Sequence, residues 1–124
     1  MPAKREFTYV QHGQLAGLAL ADASAKEVLA YMLLTQYHGA DRGYPDHPSW
    51  CSVPQAEVAR KLGMRVPHVS RAYAALTRKT FPTNDGREVP VLTRVRDAHG
   101  RRCAVYADNL FEESVADRIG YQFV

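Results

Sequence analysis

The sequence predicts one mainly α-helical domain with a small β-sheet, and three observations carry that prediction. Apolar residues recur at helical spacing in separate segments, two of them joined only by a short turn at Gly63. A β-favouring stretch, EVPVLTRV, then leads through Asp97, Ala98, His99 and Gly100 into RCAVY, the composition of a hairpin. Finally, 124 residues, 46% hydrophobic and 23% charged, suit a single core of ordinary composition.

Taken in order, residues 6–10 (EFTYV) alternate polar and apolar types and read as a short strand. Residues 14–20 read as a turn or short helix, weakened by Gly17. Ser24 and Glu27 then have the spacing of a capping box. Behind them Val28, Leu29, Tyr31, Met32 and Leu33 make an apolar helix that ends near His38, with Gly39 as its C′ residue. Residues 39–49 (GADRGYPDHPS) are a polar loop.

A second helix is expected from Ser52, with Pro54 in its first turn and Gln55 completing another capping box. Ala56, Val58, Ala59 and Leu62 form its apolar face and Gly63 stops it. A third helix starts near Arg65, holds Pro67 in its first turn, turns Val69, Ala72, Tyr73 and Leu76 inward, and ends before Pro82. Residues 83–86 (TNDG) are turn chemistry, 88–95 one strand with Pro90 suited to an edge, and 102–106 its partner. Asp108 or Asn109 caps a last helix through Arg118, with Leu110, Phe111, Val115 and Ile119 on its apolar side. The organisation is therefore a lead-in over 1–22, a central domain over 23–107, and a C-terminal helix and tail over 108–124.

Helix, loop, helix, glycine turn, helix, hairpin is the plan of a winged helix-turn-helix. Within it, Ala59 allows two helices to approach closely, Gly63 permits the positive φ of the tight turn, and Met64 plugs that turn into the core. The stretch SVPQAEVARKLGMRVPHVSRAYAAL resembles the motif W-P-S-Q-x-x-L-A-x-x-L-G-V-S-x-x-T-V-x-R-x-L of winged-helix domains in plasmid and phage replication initiators and related transcriptional regulators. Trp50, Ser52, Gln55, Val58, Ala59, Leu62, Gly63, Met64, Val69, Arg71 and Leu76 carry the likeness. Residues 23–29 (ASAKEVL) are similar to that family's L-S-x-x-A-x-x-V-L opening, so the resemblance spans about residues 23–107. Two departures stand out. Arg65 occupies the usual place of a capping Ser or Thr, and Cys51-Ser52-Val53-Pro54 differs in spacing from Trp-Pro-Ser-Gln.

The resemblance implies that Arg65, Val66, Pro67, His68, Ser70 and Arg71 point into the major groove of DNA, with Arg78 and Lys79 as further contacts. Arginine can bind guanine bidentately, and Ser or His can donate to a base or a phosphate. Arg94, Arg96, Arg101 and Arg102 flank the hairpin tip, where cations reach phosphates or the minor groove. Strand alternation would put Arg94 and Arg96 on one face and Val95 on the other.

Charge placement agrees with a polyanion partner. The net charge is +3, yet residues 60–102 hold eleven basic and three acidic residues, a balance of +8. The remainder, with five basic and ten acidic residues, stands at −5. The expected function is sequence-specific binding of double-stranded DNA in transcriptional regulation. A plasmid- or phage-type replication or partition factor is the nearest alternative, and a winged-helix protein-interaction module is another. A homodimer is expected, because one recognition helix reads few base pairs.

Other chemistry is not expected. His38, His47, Cys51 and Cys103 lack paired metal-ligand spacing, so no metal site or other cofactor is predicted. Asp41 and Asp46 lie on a loop without a partnered nucleophile, and no phosphate-binding glycine loop or dinucleotide fingerprint occurs, so no enzyme is predicted. The two cysteines read as ordinary buried thiols, the aromatic residues as core, and no apolar run reaches membrane-spanning length. Residues 15–21 lack a signal peptide's arrangement, so the cytoplasm is the expected compartment.

Overall fold

A computed structural model describes residues 11–37, 46–97 and 104–115, with the side chains of residues 96, 97 and 115 excepted. The strand expected over 6–10, the tip of the hairpin and the end of the last helix lie outside the described residues. Among the described residues, five helices and five short strands follow in the order α1 (His12–Leu20), α2 (Ala25–Leu34), a 3₁₀ turn (Thr35–Tyr37), β1 (Trp50–Ser52), α3 (Gln55–Leu62), α4 (Val66–Arg78), β2 (Thr80–Pro82), β3 (Glu88–Pro90), β4 (Leu92–Asp97), β5 (Ala104–Asp108) and α5 (Asn109–Val115). The fold is mainly helical around one core, with a small antiparallel sheet in the order β1-β5-β4 and a separate β2-β3 hairpin.

Each helix start has a local cause. In α2 the Ser24 hydroxyl accepts from the Glu27 amide while the Glu27 carboxylate accepts from the Ser24 amide, so the predicted capping box is formed. In α1 the Gln14 side-chain oxygen accepts from the Gln11 amide at 2.8 Å, and a regular helix stands where a turn or short helix was expected. That helix closes on Asp22 in the left-handed region at φ 57°, with Ala23 N–H donating to Leu18 and Asp22 N–H to Ala19. This is the Schellman pattern, usually built on glycine.

The second predicted helix needs correction. Ser52 does not cap it: its backbone is committed to β1, which pairs antiparallel with β5, Ser52 opposite Val105. The helix begins at Gln55 with Pro54 as N-cap residue and no side-chain cap. It ends as expected, with Gly63 left-handed at φ 64° and Met64 N–H donating to the Ala59 carbonyl at 2.9 Å. Three residues, Gly63 to Arg65, separate it from α4. Ala59 is buried at the meeting of the two helices.

The strand expected over 88–95 is two strands. Val91 leaves the ladder between them: its N–H donates to the Lys79 carbonyl and its carbonyl accepts from the Asn109 amide. Val91 thereby ties the end of α4 to the start of α5. β3 pairs with β2 around the turn at 83–86, in which Gly86 has φ 84°. β4 and β5 form the larger hairpin, with Arg94 opposite Tyr106 and Arg96 opposite Val105. Val95 is the extra residue of a bulge there, so the expected alternation, Arg94 and Arg96 on one face and Val95 on the other, is interrupted, and Val95 is exposed.

The core gathers Leu18, Tyr31, Leu34, Val58, Val69, Tyr73, Leu76, Phe81, Leu92 and Leu110, from every helix and both hairpins. α2, α3 and α4 pack on one another, α4 also lies against β4, and α1 packs on α5 and β2. Among the described residues no helix is long and apolar enough to cross a membrane.

Candidate nucleic-acid interface

The candidate surface is built on α4. Val69, Ala72, Tyr73 and Leu76 are buried, at the spacing of one helical face. The residues between them are forced outward, and Val66, Pro67, Ser70, Arg71, Ala74 and Arg78 form a continuous exposed ridge. From Val66 to Arg78 that ridge is about 18 Å long at the rise of an α-helix. Arg65 is exposed at the N-cap position and places no side-chain acceptor over the first turn. Pro67 in that turn has no amide to satisfy. The departure from a capping Ser or Thr therefore leaves a cation at one end of the ridge, where the His68 amide donates to the Arg65 carbonyl and not to a side-chain cap.

A cleft runs along each flank of the ridge. On one side a space of about 350 Å³ separates Ser70, Ala74 and Thr77 from Thr93 and Arg94 of β4, with Gln55 at the start of α3 contributing to its wall. On the other side a space of about 210 Å³ separates His68 and Arg71 from Ser24 and Lys26 at the start of α2. His68 is partly exposed. The twelve residues singled out from the sequence therefore divide. Arg65, Val66, Pro67, Ser70, Arg71 and Arg78 share the ridge, while His68 and Arg94 stand on its opposite flanks. Arg96 is placed by its backbone in β4 only, and Arg101 and Arg102 lie outside the described residues.

Lys79 is held by contacts within the fold. Its ammonium donates to the Glu27 carboxylate at 2.6 Å and to the Asp22 carbonyl at 2.7 Å, binding the end of α4 to the α1–α2 turn. Burial tends to raise the Glu27 carboxyl, but hydrogen bonds from Lys79 and Ser24 outweigh it and hold the group below the usual carboxylate range. Two more cations of the basic segment are committed within the fold. Arg87 bridges Asp85 and Glu113, both at 3.0 Å. Lys61 donates to the Tyr37 hydroxyl at 2.8 Å and stands over its ring. By contrast Arg60, Arg65, Arg71 and Arg78 are exposed and make no ion pair with any described residue. Among the described residues, three of these four exposed cations, Arg65, Arg71 and Arg78, belong to α4 and its N-cap.

No protein-family profile, curated protein or solved structure matches the chain. The chemistry of the surface is read from its own side chains. Gln55, read from the sequence only as a capping and motif residue, joins it with Thr93 and Lys26, which nothing in their local sequence marks; the packing of α2, α3 and β4 against α4 brings them there.

Away from this surface, the polar groups of the core serve structure. Cys51 is buried beneath the sheet with its thiol 3.7 Å from the Ser49 carbonyl, and burial pushes that thiol well above its usual range. Such a group is a poor nucleophile. Among the described residues no three His, Cys, Asp or Glu side chains gather to hold a metal ion.

Proposed function

We propose that this chain is a sequence-specific double-stranded DNA-binding protein, a winged helix-turn-helix that regulates transcription. In this reading α4 enters the major groove and the β4–β5 hairpin lies against phosphates or the minor groove. The observation that carries it is the exposed ridge of α4, lined by Arg65, Arg71 and Arg78, which pair with no acid among the described residues, and backed by a buried opposite face. A helix about 10–12 Å across matches a major groove about 12 Å wide. The order α2, β1, α3, α4, β4, β5, with β5 between β1 and β4, supports the winged-helix assignment. Arg94, across the cleft from Ser70, gives the hairpin a cation on the same side of the molecule.

The test is selection from a randomised duplex pool at two salt concentrations, with sequencing of the retained molecules. A short enriched motif, with affinity at least tenfold weaker for Arg65→Ala, is the expected result. A palindromic motif would mark a homodimer. Salt-sensitive retention without a motif would replace the sequence reader with a non-specific binder. No retention at either salt would discard DNA binding in favour of a protein-interaction module.

A further inference from the structure

We propose that the cleft between the start of α2 and the flank of α4 binds a phosphate group through Lys26, His68 and Arg71. The inference rests on the DNA reading for its expected source, a backbone phosphodiester, and gives Arg71 a phosphate-holding role in place of a base-reading one.

Three observations converge on the cleft. It is bounded by two elements far apart in sequence, Ser24 to Glu27 on one side and His68 to Ala72 on the other, and encloses about 210 Å³. Lys26 and Arg71 are exposed at its rim and make no ion pair with a described residue. The single acid in its lining, Glu27, is already offset: its carboxylate accepts from Lys79 and from the Ser24 amide. The local balance therefore favours an anion.

The DNA reading makes phosphate the expected anion. A helix seated in a major groove fills its width, so the two sugar-phosphate strands must run past the helix's two flanks. One flank of α4 presents the Gln55 and Arg94 cleft; the other presents Lys26, His68 and Arg71. Arg71 leans toward the α2 side of the ridge, one turn beyond Pro67, where a strand edge would pass. Lys26 carries no signal of this in the sequence, being an ordinary exposed residue of a first turn.

The experiment uses the full chain and two ligands, the enriched duplex and inorganic phosphate. For Lys26→Ala and Arg71→Ala the expected result is a several-fold loss of duplex affinity, similar on matched and mismatched sites. The slope of log affinity against log salt should shallow by about one and the enriched motif should be unchanged. If wild type selects a motif but Lys26→Ala leaves affinity and slope intact, the phosphate site is wrong and the DNA reading stands. If Arg71→Ala changes the motif, Arg71 reads bases and its assignment here falls. If no duplex binds, yet phosphate shifts the backbone amide resonances of residues 24–26, 68 and 71 in wild type and not in Lys26→Ala, the site stands. Its source is then a free phosphorylated molecule. The absence of both duplex binding and phosphate binding overturns both proposals.

Discussion

The Tyr31 hydroxyl lies 2.8 and 2.9 Å from the two carboxylate oxygens of Asp108, joining the middle of α2 to the end of β5. Gln14 of α1 completes the cluster, its side-chain N–H₂ donating to the Tyr31 oxygen at 2.7 Å and to Asp108 at 3.4 Å. Asp108 also accepts from the Phe111 amide, so it caps α5 from a fully buried position. Four elements converge on one carboxyl group. Burial pushes it up to about 7, against the pull of hydrogen bonds from Tyr31, the Phe111 and Leu110 amides and Gln14.

The sign of the resulting pH dependence follows from linkage. Between its ordinary value of 3.8 and about 7, Asp108 keeps its proton in the folded state and releases it in the unfolded one, so stability falls as pH rises through that window. Glu27 and Asp85 are held low and act only below pH 4.5 and 3.8 respectively. Tyr31 and Cys51 are raised and act only above their ordinary values of 10 and 9. Thermal unfolding should therefore give a higher Tm at pH 5 than at pH 7.5, and Asp108→Asn should remove most of that difference. An unchanged slope in Asp108→Asn would assign it to other groups.

Tyr31→Phe tests the same cluster by geometry. It leaves the carboxyl without its shortest donor in a site closed to water, at a cost of about 1–3 kcal/mol. Chemical denaturation of the variant measures it, and a loss below 0.5 kcal/mol (an order-of-magnitude threshold) would show that the hydroxyl is dispensable.

Lys79 should behave as a structural residue. With Glu27 largely buried and Lys79 partly so, Lys79→Met removes a charge-assisted bond worth about 1–2 kcal/mol and leaves the Glu27 carboxylate unpaired. Urea unfolding should show the loss, whereas the salt slope of duplex binding should not move. A shallower salt slope at unchanged stability would return Lys79 to the proposed DNA-contacting set.

Two of the left-handed residues, Gly63 and Asp22, give opposite expectations. Gly63→Ala places a Cβ at φ 64°, costing about 1 kcal/mol although no atom crowds the position. Asp22→Gly relieves the same strain at φ 57° and should stabilise by up to about 1 kcal/mol, since Lys79 bonds only the Asp22 backbone there. Paired Tm measurements decide it, and a fall for Asp22→Gly would refute the strain argument.

What the sequence by itself determined is local. Ser24 and Glu27 sit three apart and so cap α2; Gly63 follows Leu62 and so ends α3; Val69, Ala72, Tyr73 and Leu76 recur at helical spacing and so choose the buried face of α4. Each depends on contacts within a turn or two, which spacing encodes directly. Tertiary structure decided whatever depended on a distant partner. Ser52 looked like a cap because its competing partner, Val105, lies across the sheet. The three-residue strands β1 and β2 have too little pattern to declare themselves, and Lys79 looked available because Glu27 is 52 positions away. The same holds for the surface: the ridge of α4 was legible in its periodicity, but its flanks were not. Lys26, Gln55 and Thr93 reach them only because burying the other face of α4 packs three remote elements around it.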